Sequence, residues 1–154
     1  MARASTETLV TQSILDSLMN VEDWPTTRSQ STRFFRDALK RDLEWLLNTR
    51  QPPVAEMADY AAARATVINY GLPDISSLGF SNASDHRALR IAIETCLRNY
   101  EPRLIDVRVT LEGSDTPDRR LRFHIEGNMK LDPAPEEISF DTVLELTSGE
   151  YKVK

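Results

Sequence analysis

Glu101, Pro102 and Arg103 form the most unusual local grouping of charge in this sequence. Proline fixes the backbone there, so a carboxylate and a guanidinium flank a rigid corner. An arginine so held offers a planar fork of donors to a carboxylate, either a neighbour in the chain or one on a partner. Other reactive side chains are sparse: His86, His124 and Cys96. No Cys or His grouping has metal-ligand spacing. There is no GxxxxGKS/T phosphate loop, GxGxxG turn, nucleophile elbow or HExxH helix. Carboxylates are numerous, but a glycosidase needs two across a cleft, one of them raised by an apolar pocket. Glu44, beside Trp45, and Glu94 are the nearest candidates, and both also read as solvated helix-face charges. The residues therefore imply no cofactor, no metal and no catalytic constellation.

Composition narrows the class further. At 154 residues the chain fits one domain, and such a chain buries enough surface to fold without staples. A net charge of −5 argues against general nucleic-acid binding, which needs basic surface to displace counterions. One cysteine cannot make an internal disulfide and suits a reducing compartment. The polar start lacks the apolar core of a signal peptide, and no run approaches the roughly 20 apolar residues of a membrane span. A cytoplasmic protein without membrane insertion is expected.

The elements that would carry the corner are legible as apolar periodicities. Residues 1–25 read as an N-terminal arm holding a short amphipathic helix, with Val10, Ile14 and Leu18 four apart and Leu9 and Leu15 beside them. Residues 26–154 read as a single α+β domain. Residues 20–32 suggest an exposed loop, in which Trp24 either folds back on the core or anchors a partner. A helix is predicted over 31–49, capped by Ser31 or Thr32, with Phe35, Leu39, Leu43 and Leu46 or Leu47 inward. Ala58–Ala65 suggests a helical turn or two, and Val67–Asp74 an extended segment ending at Gly71 and Pro73. A further helix over 84–99, capped by Asn82 or Ser84, buries Leu89, Ile93 and Cys96 or Leu97. Three alternating runs follow: Leu104–Leu111, with Ile105, Val107, Val109 and Leu111 inward, then Arg120–Met129, then Ile138–Thr147. The simplest arrangement is an antiparallel three-stranded, or slightly larger, meander packed against helices. Its late strand, or the Tyr151–Lys154 tail, is expected to be an open edge that can accept a strand from another chain. The arm, being so short, is expected to order mainly on a partner.

Three stretches taken in order look familiar. Residues 41–50, RDLEWLLNTR, residues 69–74, NYGLPD, and residues 101–104, EPRL, resemble the motifs of the TssE family of type VI secretion baseplate proteins. That family is related to contractile-phage baseplate wedge proteins once labelled tail lysozymes. The resemblance covers roughly residues 8–150. It implies an α+β wedge-like fold and a non-enzymatic structural role in a cytoplasmic baseplate wedge. The implied partners are TssF- and TssG-like proteins and the first sheath subunits, with no small-molecule substrate. By position it points to Glu101, Pro102 and Arg103 as partner-binding residues, with Asn48 and Arg50 of the NTR stretch second. Those two also fit a helix C-terminus stabilised by a cation. A small anti-adaptor-like regulatory binder of the same fold is the alternative, and a peptidoglycan hydrolase the least favoured reading.

Overall fold

The computed structural model describes residues 8–19, 24–52, 60, 62, 66–74, 83–112 and 120–154. Three helices, α1 (Ile14–Met19), α2 (Arg28–Asn48) and α3 (Ala83–Tyr100), precede four strands: β1 (Leu104–Glu112), β2 (Arg120–Met129), β3 (Glu136–Glu145) and β4 (Glu150–Val153). The strands form one antiparallel sheet in the order β1-β2-β3-β4. α2 and α3 cover one face of it, making the expected two-layer α+β arrangement.

The helix stripes supply one half of the core and the strand alternation the other. Leu39, Leu43 and Leu47 of α2 and Leu89, Ile93 and Leu97 of α3 are fully buried against Val109, Phe123, Ile125 and Leu144. Each such side chain contributes roughly 1.5–3 kcal/mol on leaving water. The other face of the sheet carries His124, Glu126 and Asp141 toward solvent.

Several expectations change. α2 starts at Arg28, inside the stretch read as a loop, because Thr27 and Gln30 form a capping box. The Thr27 hydroxyl accepts from Gln30 N, and the Gln30 amide oxygen accepts from Thr27 N. Ser31 is therefore no cap; it is buried, and its hydroxyl accepts the Val10 N–H. Val67–Asn69 is a 3₁₀ turn, not extended backbone. Ile105 is 36% exposed because the register slips between Ile105 and Arg108, with Asp106 at φ 56°, so Leu104 takes the inward place instead. The helical turns over Ala58–Ala65, the Asn82 cap and the 112–119 turn lie almost wholly outside the described residues.

The tail and the arm depart furthest. Tyr151 and its neighbours are already strand β4, pairing with Thr142–Glu145 of β3. Its outer edge is occupied: Asn48 Oδ1 accepts Tyr151 N–H at 2.8 Å, Asn48 Nδ2 donates to Tyr151 O at 2.9 Å, and Glu44 Oε2 accepts Val153 N–H at 3.2 Å. At the opposite edge Glu94 Oε1 accepts Val109 N–H of β1 at 3.0 Å. What β4 leaves unpaired is the first half of β3, residues 136–140. In the arm, expected to order mainly on a partner, Val10 instead packs on the chain's own core, while Ile14 and Leu18 are 82% and 72% exposed and Asp16 is buried. The short helix lies with its polar side inward.

Candidate functional site

The corner is built where α3 meets β1. Glu101 N–H closes the last helical turn on Leu97 O, and Leu104 N–H bonds Glu101 O, so Pro102 and Arg103 span a tight turn. The proline halts the helix, and the alternation of β1 begins directly after it. Glu101 is only 4% exposed. Its carboxylate is held by the Arg103 fork: Nε to Oε1 at 2.7 Å and Nη2 to Oε2 at 2.6 Å, with the Arg103 N–H adding a third bond to Oε1. A buried carboxylate needs such pairing, since desolvation without it is costly.

The chain of charge continues across the helices. Arg103 Nη2 also donates to Asp42 Oδ2 at 2.7 Å. Asp42 Oδ1 accepts from Arg41 Nε and Nη2, and Arg41 Nη1 reaches Asp16 Oδ1 at 2.7 Å. Ser13 Oγ donates to the other Asp16 oxygen at 2.6 Å. Five side chains, Asp16, Arg41, Asp42, Arg103 and Glu101, thus link α1, α2 and the corner. Phe35 lies under Arg103 at 5.7 Å and Trp45 under Arg41 at 4.9 Å. The Glu101 hydrogen bond outweighs burial and raises the Arg103 pKa. At Asp16 burial pushes upward, but the Ser13 and Arg41 hydrogen bonds prevail and hold the carboxyl below its ordinary value. Both ions are therefore fixed in their charged forms at neutral pH.

Asn48 and Arg50 are placed elsewhere, at the C-terminus of α2. Asn48 clamps β4 as described. Arg50 Nη1 donates to Leu47 O at 2.9 Å, which is the helix-end cation, and Nη2 donates to Gly149 O at 2.8 Å. Its guanidinium lies 5.8 Å over the Tyr151 ring. The NYGLPD stretch docks on the same place. Gln51 N–H bonds Leu72 O, and Leu72 N–H bonds Thr49 O. Gly71 adopts φ 106°, and a Cβ there would lie 2.4 Å from Thr49 O, so only glycine fits. Gly71 O accepts the buried Cys96 thiol at 3.2 Å, and burial pushes that thiol up to about 12, far from a nucleophilic thiolate. The structure thus brings Glu101, Pro102 and Arg103 into one network and Asn48 and Arg50 into another. Sequence spacing carried no sign of Asp16, Asp42 or Arg41 as members of the first, in which Arg41 donates to both aspartates.

The two candidate acids sit at opposite edges of the sheet, each accepting a strand N–H. One donor grouping escaped sequence spacing because three strands supply it. Glu112, His124 and Asp141 bring one potential ligand atom each within 4.8 Å. Asp141 is 69% exposed, and His124 Nδ1 already bonds it at 2.7 Å. Among the described residues no helix is long and apolar enough to cross a membrane.

No curated protein matches the sequence. A solved structure described as the baseplate complex from the type VI secretion system aligns with 17% identity and a TM-score of 0.48, covering 73% of this chain and 94% of that one. The family profile described as baseplate wedge protein gp25 matches residues 34–134, from the second turn of α2 through β2. Since that match spans well over half of the 154 residues and contains all three motifs, the chain belongs to the baseplate wedge protein gp25 family.

Proposed function

We propose that the chain is a structural part of a type VI secretion baseplate wedge in the cytoplasm, held by TssF- and TssG-like proteins and meeting the first sheath subunits. The observation that carries this reading is the family match over residues 34–134, together with the three motifs inside it. In this reading Glu101, Pro102 and Arg103 are the contact corner. Internal pairing sets Arg103 rigidly, and its Nη1 makes no hydrogen bond among the described residues, which leaves donors for a partner carboxylate. Asn48 and Arg50 serve the interface indirectly by fixing β4. Residues 1–25 act as an arm on the 26–154 domain, tied to it by Asp16 and Arg41. The sheath contact falls on the first half of β3, residues 136–140, along the margin that β4 does not cover. A non-enzymatic role fits the employment of Glu44 and Glu94 in holding strand edges, away from any shared cleft.

Co-expression with the TssF- and TssG-like proteins of the same gene cluster tests the proposal. Wild type is expected to co-purify in a stable wedge. Arg103→Ala combined with Glu101→Gln, which leaves no unpaired buried charge, is expected to fold and drop out of it. Failure of the wild type to join the wedge would overturn the function. Retention of the double variant at wild-type affinity would remove the corner from the interface.

A further inference from the structure

The arm is held to the domain by a narrow balance of forces. Ile14, Leu15, Leu18 and Met19 are all exposed, so α1 brings almost no apolar surface to the domain. Within residues 8–19, Val10 is the apolar side chain that packs on the core. A helix of six residues does not persist alone. The remaining ties are directional and polar. Asp16 Oδ1 accepts from Arg41 Nη1, Ser31 Oγ accepts the Val10 N–H, and Arg28 Nη1 donates to Thr8 O. Against them stands Gln12: its side-chain oxygen and nitrogen are both shut off from solvent, and neither has a hydrogen-bond partner among the described residues. An amide buried that way destabilises the state that buries it.

We propose that residues 8–19 are a strap that opens and closes over α2 as one unit, with Asp16–Arg41 as its latch, while the rest of the domain stays folded. The three ties fall on Arg28, Ser31 and Arg41, spread over about 20 Å of α2, so the strap lies along that helix. The domain side keeps its partners when the strap leaves. Arg41 still donates to Asp42 through Nε and Nη2, Asp42 still accepts from Arg103, and Arg28 still donates to Asp132 O at 2.6 Å. On the strap side Asp16 passes from 1% exposure into water, where a carboxylate needs no counter-ion. Opening therefore strands no charge, and the boundary of the cooperative unit runs between Asp16 and Arg41, outside the Glu101–Arg103 corner. Opening also bares the α2 flank from Ser31, fully buried when the strap is closed, to Arg41, the neighbour of Asp42. One charge pair thus governs access to a flank that ends at the corner network.

Native-state hydrogen exchange on the full chain tests this. The Val10 and Ser17 amides, bonded to Ser31 Oγ and Ser13 O, should share one opening constant, about 100-fold or more above that of Leu43 in α2. Asp16→Asn should raise that constant roughly tenfold at both amides, although Val10 lies on a different tie. Gln12→Leu, which removes the unpartnered amide, should lower it several-fold. Ile93→Val, in the core, should speed Leu43 exchange several-fold and leave Val10 and Ser17 unchanged, because the strap opens before the core does. Val10 and Ser17 as protected as Leu43 would make the arm part of the global fold and overturn the proposal. So would a rise at Ser17 without one at Val10 in Asp16→Asn, which is fraying of the helix end, or arm amides that follow Leu43 in Ile93→Val.

Discussion

Removing the Arg103 side chain should damage the fold before it touches any interface. Arg103→Ala withdraws both fork bonds from Glu101 and the bond to Asp42. Glu101 stays 4% exposed with no cation beside it. Breaking a buried pair by deleting one partner costs about 3–5 kcal/mol. Arg103 and Asp42 are 24% and 21% exposed, so water repairs part of the loss and about 2–4 kcal/mol is the fitting range. In a chain of this length that is a fall in Tm on the order of 10 °C. Urea unfolding followed by circular dichroism at pH 7 reads it directly. Glu101→Gln in the Arg103→Ala background removes the stranded charge and should restore more than half of the loss. Arg103→Lys keeps a charge but not the fork, and should fall between wild type and alanine. The reasoning fails if Arg103→Ala melts within about 1 °C of wild type, or if the Glu101–Arg103 cycle couples by less than about 0.5 kcal/mol. In that case the corner bonds are surface decoration, and loss of assembly in Arg103→Ala alone would report a contact.

Three further outcomes are expected. Asn48→Ala strips partners from both Tyr151 backbone groups and should cost about 1–3 kcal/mol in urea unfolding, with hydrogen exchange in β4 rising more than in β2. Gly71→Ala places a methyl 2.4 Å from Thr49 O at a positive φ, and a loss of about 2 kcal/mol or more by thermal unfolding is expected. His124 has a pKa raised above 6.5, first by the Asp141 hydrogen bond and then by Asp141, Glu126 and Glu112 charge. Its contribution to stability is therefore complete below pH 6.5 and is lost as pH rises through the raised folded value. Because the pair is exposed, that contribution is under about 1 kcal/mol. Proton NMR of the ring should show the elevated midpoint, and Asp141→Asn should bring it back toward 6.5.

Strong periodicities carried the sequence reading and tertiary polar contacts escaped it. Leu39, Leu43, Leu89, Ile93, Phe123 and Ile125 lie inward because a 3.6-residue or two-residue spacing leaves them one choice of face. The α2 start was legible in principle, as Thr27 and Gln30 have capping-box spacing; the surrounding Ser, Thr and Pro hid it. The slip at Asp106 left no mark, since Ile105, Val107, Val109 and Leu111 alternate without interruption on paper. α1 reversed its expected orientation because one buried Asp16–Arg41 pair outweighed a short apolar stripe, and no local rule sees a partner 25 residues away. The corner was visible through proline chemistry and family likeness. That Glu101 faces inward, making Arg103 first a counter-ion, required the distances.

The carboxylates at the two sheet edges have a consequence for how copies of the protein coexist before assembly. A four-stranded sheet with bare margins invites edge-to-edge polymerisation. Glu94 sits on the β1 margin, and Glu44 with Asn48 on the β4 margin, each occupying backbone donors that another sheet would need. An approaching strand would have to pull a helix side chain off its bond and leave a carboxylate without its donor. Both margins are thus guarded against such pairing, and the stretch 136–140 is the part of β3 that β4 leaves uncovered.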